Sequence, residues 1–349
     1  MLAKTAGTVR YCYNWGLAKW NEMHRNGENC STGLLSRLWT SERPEWSKEV
    51  SRGSQTQAFI NLGAAFSNFF KHRSDEPRKH KKGKHDSFYV ANDKGWLKDG
   101  MRIHLPNVGD VRMAERLRFS GKIQRFVVSK IADNWYVSIA VELDEDIKPT
   151  DSESAVGIDA GIKHWAVTSE GEVLDRPKSI ERLEKSLKHA EREKSRRKKG
   201  SRNRRKSIRR IARLHHRIRC VKMDAVHKFT SRIAKNHGVV CCEDLCVKGM
   251  AKSIKGVRKG VHDSCMGMMR VLLSYKAKHY VKIDRWFPSS KRCSKCGHVK
   301  DELKLSERTC RCESCGNVLD RDHNAAINIR DEGPRIFTEG HSESACGGC

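Results

Sequence analysis

The stretch that decides the fold is AVGIDAGIKHWAV, from Ala155 to Val167. A short apolar run ends on an acid, Asp159, between Gly157 and Gly161. A run this short, ending beside glycine, reads as a buried strand rather than a helix. HWAVTS and GEVLD follow as two more short strands, with Glu170 and Gly171 at the turn. HGVVCCEDL repeats the first pattern, an apolar strand closing on Glu243. Val271 to Tyr280 has helical spacing, and YVKID is strand-like. From Ala155 onward the chain therefore reads as α/β.

Between the strands lies a very basic stretch. From Lys185 to Arg219, 17 of 35 residues are Lys or Arg, and the only acids are Glu191 and Glu193. Ile208, Ile211, Leu214, Ile218, Val221, Ala225, Phe229 and Ile233 keep helical steps. The spacing predicts a long amphipathic helix with a basic outer face and an apolar inner one. A basic run is commonly a solvated face. This one supplies about half of the net charge, and it is expected to contact nucleic acid through residues such as Arg204, Arg205 and Lys206.

Working toward the N-terminus, the pattern changes twice. Residues 1–72 read as helices: Tyr11, Trp15, Leu17 and Ala18 form one stripe, and Ala58, Leu62, Ala65, Phe66 and Phe69 another. A helical bundle packed on itself accounts for those positions. Gln55 and Gln57 precede the second stripe and are expected to face DNA, since amides pair with base edges. A polar loop, HRSDEPRKHKKGKHDS, leads into period-two runs at 87–90, 102–105, 124–128 and 135–141. These predict a small antiparallel barrel or sheet, with Asp133 and Asn134 at the tip of one turn.

The whole chain has 349 residues and a formal net charge of +28. That length allows two or three domains. A surplus so large repels itself unless a polyanion neutralises it, and nucleic acid is the natural one. No apolar run approaches the ~20 residues of a membrane span, and Met1 opens no signal-peptide pattern, so no membrane partner is expected. The 14 Cys sit in a long basic chain rather than a short secreted one, and read as reduced thiols, some on metal.

Four of them form two C-x-x-C knuckles, CSKC at 293–296 and CESC at 312–315, each followed by glycine. The pattern predicts a structural Zn²⁺ held by Cys293, Cys296, Cys312 and Cys315, with no coordination position left for catalysis. Cys310 lies too close to Cys312 to make a knuckle with it. Cys241 and Cys242 sit in apolar strand context and read as buried, inert thiols.

Three acids stand in comparable places. Asp159 and Glu243 end strands; Asp322 lies in DRDHNAAINI, at the mouth of a helix. Singly, each reads as a cap or surface charge. Together they fit a site in which carboxylates from strand ends and one helix hold divalent ions about 3.5–4 Å apart. Hard oxygen ligands suit Mg²⁺, with Mn²⁺ able to replace it. A protein that only bound DNA would gain nothing from acids in a basic site.

GIDAGIKHWAV, CCEDL, the CSKC…CESC ribbon and LDRDHNAAINI occur in an order and spacing that resembles the TnpB family, the transposon-associated OrfB proteins related to type V CRISPR effectors. YNWGLA and AFSNFFK look like that family's helical recognition lobe, FVVSKIADNWYVSIAVE like its wedge strands, and FPSSKRCSKCG like its approach to the ribbon. The chain departs from the family in starting almost at the first helix, where a short strand is usual. The resemblance implies a multidomain α+β protein: a helical recognition lobe at 1–85, a small β-barrel wedge at 86–148, and an RNase H-like (RuvC) α/β nuclease core at 149–284. A zinc ribbon at 285–319 and the last RuvC motif with a tail at 320–349 complete it. It implies an RNA-guided DNA endonuclease with guide RNA and target DNA as partners, acting in a prokaryotic cytoplasm. The family's catalytic acids fall on Asp159, Glu243 and Asp322, with Asp320 second in its motif as a helix cap or support. The alternatives are a compact type V effector and a guided DNA-binding protein that does not cut.

Overall fold

The structure is a computed structural model. It describes residues 1–84, 86–91, 94–144, 150–247, 249–250, 258–303 and 307–338. The chain divides into two compact units, Met1–Asp146 and Ile147–Cys349.

The first unit opens with three helices, α1 (Leu2–Arg25), α2 (Thr32–Glu42) and α3 (Arg52–Phe70). Cys12, Tyr13 and Leu17 of α1 pack on Leu35 and Trp39 of α2 and on Ala58, Phe59, Leu62 and Phe66 of α3. In α3 these are the three- and four-residue steps legible in the sequence, but in α1 the stripe is set differently: Cys12 and Tyr13 are buried, and Tyr11 and Ala18, expected on the inner face, are exposed. A Cβ at Gly16 would lie 2.9 Å from the Phe59 ring, so α1 and α3 approach at a glycine.

Two three-stranded antiparallel sheets complete the unit. One joins β1 (Ser87–Ala91) to β5 (Gly121–Ile131) and β6 (Asn134–Leu143); the other joins β2 (Trp96–Lys98), β3 (Arg102–Leu105) and β4 (Gly109–Arg112). Phe88, Val90, Ile103, Leu105, Phe126 and Val128 share one core between them. The expected barrel does not close: among the described residues no strand of one sheet is hydrogen-bonded to a strand of the other. Closure needs continuous pairing around the ring, and strands as short as β2 and β4 leave it broken. The β5–β6 turn is also one residue earlier than expected. Ile131 pairs with Asn134, and Ala132 takes the positive φ of 54°.

The second unit is built on a five-stranded sheet of order β11-β10-β7-β8-β9. The strands are β7 (Ala155–Asp159), β8 (Ala166–Thr168), β9 (Val173–Leu174), β10 (Val239–Glu243) and β11 (His279–Ile283). The strands β7, β10 and β11 are parallel; β8 and β9 run back and forth beside β7. One sheet face, with Val156, Ile158 and Val240, is covered by Val226, Phe229 and Ile233 of a long helix and by Met269, Leu272 and Leu273.

The basic segment is a hairpin of two helices rather than one. The helices α4 (Lys178–Arg196) and α5 (Arg202–Asn236) are joined by a turn in which Gly200 has a φ of 83°. Ser201 caps α5 by accepting the Arg204 N–H at 3.2 Å. The short α6 (Arg258–Asp263) and then α7 (Met266–Lys276) follow β10. The expected helix through Tyr280 stops at Lys276, because β11 takes His279 onward into the sheet.

The opposite face is covered by α8 (Arg321–Thr338), whose Ile329 packs with Cys241, Val281 and Ile283. Gly157 lets α8 come down on β7, since a Cβ there would run into the Ala326 carbonyl and the Arg330 N–H. Gly333 does the same over Cys241.

Candidate metal centres and nucleic-acid surface

Side chains alternate along a strand, so Gly157 and Asp159 of β7 share the α8 face, as do Cys241 and Glu243 of β10. Val239 pairs with Ala155 and Cys242 with Ile158. The pairing ends there, one residue short of Asp159 and Glu243, the last residues of β7 and β10. Burial, then the Glu243 and Asp322 carboxylates, push the Asp159 carboxyl up to about 8, while Arg321 pulls the other way. Burial also raises Glu243, against a hydrogen bond donated by the Ser289 hydroxyl.

Asp322 arrives from the start of α8. Its own backbone N–H and that of His323 donate to Asp320 Oδ1, at 3.0 and 3.1 Å. Asp320 is thus the N-cap of α8, and a cap fixes where the first turn points. His323 Nε2 lies 3.1 Å from the Ser169 carbonyl, tying the same turn to the end of β8. Arg321 bonds Asp322 Oδ1 through Nε at 3.1 Å and Nη2 at 2.9 Å, and Arg308 lies 3.9 Å from the same oxygen. Three acids from two strands and one helix therefore lie within electrostatic reach of one another, half-buried at Asp159 and Glu243 and buried at Asp322, although their oxygens do not all come within 4.8 Å of one another. Their mutual repulsion is what a hard divalent cation relieves, so the donor set fits Mg²⁺.

The four predicted thiols converge within 4.8 Å of one another, the one such metal-ligand group among the described residues. Cys293 and Cys315 Sγ are 3.7 Å apart, Cys296 and Cys312 3.5 Å. The two knuckles are alike: the Cys293 N–H donates to His298 O, and the Cys312 N–H to Asn317 O. Gly297 and Gly316 take φ of 77° and 70°, as the knuckle turns require. The Cys315 backbone N–H, donating to the sulfur, holds the Cys312 thiol below its ordinary value. Four thiolates of this geometry fit a tetrahedral Zn²⁺.

Two residues that the sequence reading did not single out join the two centres. Asn324 Nδ2 donates to Arg292 O at 2.7 Å while its Oδ1 accepts the Ser294 N–H at 2.9 Å. Asn328, one turn on, donates to Ser289 O and Arg292 O at 2.8 and 2.7 Å. The i, i+4 spacing of two buried amides in HNAAIN was the available signal.

The nucleic-acid expectations divide. Arg205 and Lys206 are exposed on the hairpin. Arg204 is not available in the same way: its Nη1 donates to Lys194 O at 2.7 Å and Arg197 O at 3.1 Å, closing the C-terminus of α4. Gln55 does not face DNA. It is 0% exposed, takes the Trp39 indole N–H at 2.7 Å, and donates to Ser47 O and Val50 O at 2.8 Å each. A buried amide needs partners inside, and this one has them. Gln57 is half-buried, bonds Asn61 Oδ1 at 3.0 Å, and lines a cleft of about 410 Å³ with Arg10, Tyr13, His80 and Arg125.

The family described as a probable transposase, OrfB of IS605, matches residues 138–254. A Cas12f1-like TNB domain matches 267–329 and a helix-turn-helix domain 1–29. A Streptomyces pristinaespiralis protein provisionally named RNA-guided DNA endonuclease is 35% identical over 99% of this chain and 87% of its own length. The chain belongs to the OrfB (TnpB) family. A second OrfB relative, Escherichia coli K12 InsQ, provisionally named in the same way, is 31% identical over 99% of this chain and 90% of its own. Among solved structures, the Cas12f1–sgRNA–target DNA complex matches with a TM-score of 0.55 at 14% identity, over 94% of this chain and 81% of that one. That likeness is one of fold. Among the described residues no helix is long and apolar enough to cross a membrane.

Proposed function

We propose that this OrfB chain is a transposon-encoded, RNA-guided DNA endonuclease working in the cytoplasm on chromosomal or plasmid DNA. Guide RNA and target DNA are its partners, and base pairing reads the target. The 149–284 segment is a RuvC-like core, with the α4–α5 hairpin as a basic insertion. The helical lobe (1–85) and two-sheet wedge (86–148) hold the nucleic acid. Gln57 faces it from the cleft beside α1. The ribbon (285–319) and the 320–349 segment finish the core.

What supports the reading is that Asp159 and Glu243 end adjacent parallel strands and Asp322 begins the helix packed across them, close enough for the three carboxylates to affect one another's charge. They are the residues to hold Mg²⁺, which supplies charge stabilisation and a nucleophilic water in phosphodiester hydrolysis. The chain does the rest. Ser289 orients Glu243, Asp320 aims the first turn of α8, and Arg321 balances Asp322. Structural Zn²⁺ on the four cysteines holds the ribbon beside them. The test is cutting of guided target DNA by the purified ribonucleoprotein in Mg²⁺. If Asp159→Ala, Glu243→Ala and Asp322→Ala all cut like the parent, the reading fails.

The Cas12f1-like fold favours one second reading, a compact type V effector. The RNA that co-purifies decides: transposon-end sequence supports the first reading, and CRISPR-repeat sequence the second.

A further inference from the structure

Trp286 is 85% exposed, more than any other large hydrophobic side chain among the described residues. A single exposed hydrophobic side chain is ordinary, so what matters is how this indole is held and what stands beside it. It does not sit on a loose loop. Asp284 Oδ1 accepts the Trp286 N–H at 2.6 Å, and the Phe287 N–H donates to Asp284 O at 3.2 Å, closing a tight Asx turn. On one side Arg285 is tied to Asp244 at 2.6 Å, next to Glu243. On the other, Phe287 packs against the core under α8, with the Arg292 guanidinium 5.9 Å from its ring. Three residues on, Ser289 holds the Glu243 carboxylate. Three residues span at most about 10 Å, so the Trp286 backbone stands within roughly that reach of the Ser289 backbone.

We infer that Trp286 is a stacking platform for one base of the single DNA strand that enters the acid site. A flat, rigidly held indole binds any base by its face, tolerating all sequences. Arg270 and Arg285, both paired with Asp244, place positive charge at the same strand ends, where a phosphodiester backbone would pass. This inference rests on the nuclease reading of the three acids. It adds a positioning residue that holds the strand and takes no part in bond breaking.

The test is made with the full chain and its bound RNA, in the Asp322→Ala background, so that nothing is cut. Single-stranded DNA oligonucleotides carry 2-aminopurine at successive positions, and both affinity and probe quenching are read. Quenching at one or two adjacent positions is expected, lost in Trp286→Ala and retained in Trp286→Phe. Affinity should fall about tenfold in Trp286→Ala and by much less in Trp286→Phe. A quenching pattern identical in all three proteins, or unchanged affinity for Trp286→Ala, overturns the inference. Because cutting is not read, failure of the acids as catalysts cannot imitate failure of the platform.

Discussion

Asn324 grips the chain at Ser294 from both sides of one peptide turn: it accepts the Ser294 N–H at 2.9 Å and donates to the Arg292 carbonyl at 2.7 Å. Those groups border Cys293, the first predicted zinc ligand. Asn324 itself lies two residues from Asp322, the acid that α8 brings to the site. Zinc ribbon and carboxylates are therefore mechanically one assembly, although their chemistries are unrelated.

Zinc removal should act through that assembly. Purified protein is expected to carry about one zinc per chain, and stripping it should lower cutting even though no zinc ligand touches the acids. Asn324→Ala leaves the Ser294 N–H of the first knuckle without its partner, at a cost of about 1–3 kcal/mol, while Asn328 still holds Arg292 O. Metal analysis with thermal melting checks both. A zinc-free sample that melts and cuts like the loaded one contradicts the coupling.

Removing any one of the three acids should abolish cutting and leave guide and target affinity within about twofold, because residues that act as a unit fail as a unit. Pairs of substitutions should cost little more than single ones. Rates and affinities on the same guided substrate decide this. Residual cutting that falls in equal steps with each acid removed would show independent roles.

Asp320 is expected to matter through α8. Asp320→Ala loses the cap on the Asp322 and His323 N–H groups, for about 1 kcal/mol of stability and a partial loss of rate. Asp320→Asn, which still accepts, should restore most of both. Melting and single-turnover cutting read the outcome. If Asp320→Ala abolishes cutting while Asp322→Ala does not, the acid of the DRD motif is the other one.

The raised Asp159 pKa has a cost in the metal-free protein. Its carboxyl rises from 3.8 to about 8 on folding, so the stability it allows is complete below pH 3.8 and is lost as the pH climbs toward 8. Each tenfold change in proton affinity is worth about 1.4 kcal/mol. Asp159→Asn removes the ionising group. It should melt above the metal-free parent at pH 8 and level with it near pH 4. The same melting difference at both pH values would remove the electrostatic cause.

The basic hairpin should separate structure from binding. Arg205→Ala and Lys206→Ala are expected to weaken RNA and DNA alike, each flattening the log–log salt dependence by about one unit. Arg204→Ala should instead destabilise the α4–α5 turn, since its guanidinium holds Lys194 O and Arg197 O. Salt titrations and melting of the three variants distinguish these roles. A salt slope changed by Arg204→Ala alone would reverse the assignment.

Local chemistry was legible in the sequence alone. Strand ends at Asp159 and Glu243, the glycine-closed knuckles and the helical steps of α3 follow from period and turn residues. These depend on near neighbours, and near neighbours are what a sequence prints. What Gln55 and Arg204 do depends on partners that folding supplies, whereas Asp320 caps the N–H groups of the two residues after it, as its place in DRD suggested. Gln55 finds Trp39 and two carbonyls across a helix turn, and Arg204 finds the end of a preceding helix. Whether the wedge strands close into a barrel likewise rests on pairing between distant edges, which no local pattern specifies. The sequence by itself determined which residues are acids, thiols and strand ends. Only the tertiary structure decided that β7 and β10 lie side by side, and that α8 crosses them closely enough at Gly157 to bring Asp322 within electrostatic reach of the other two acids. The physical reason is that a carboxylate's environment is set by burial and by charges remote in the chain, and both exist only once the sheet and helix have packed.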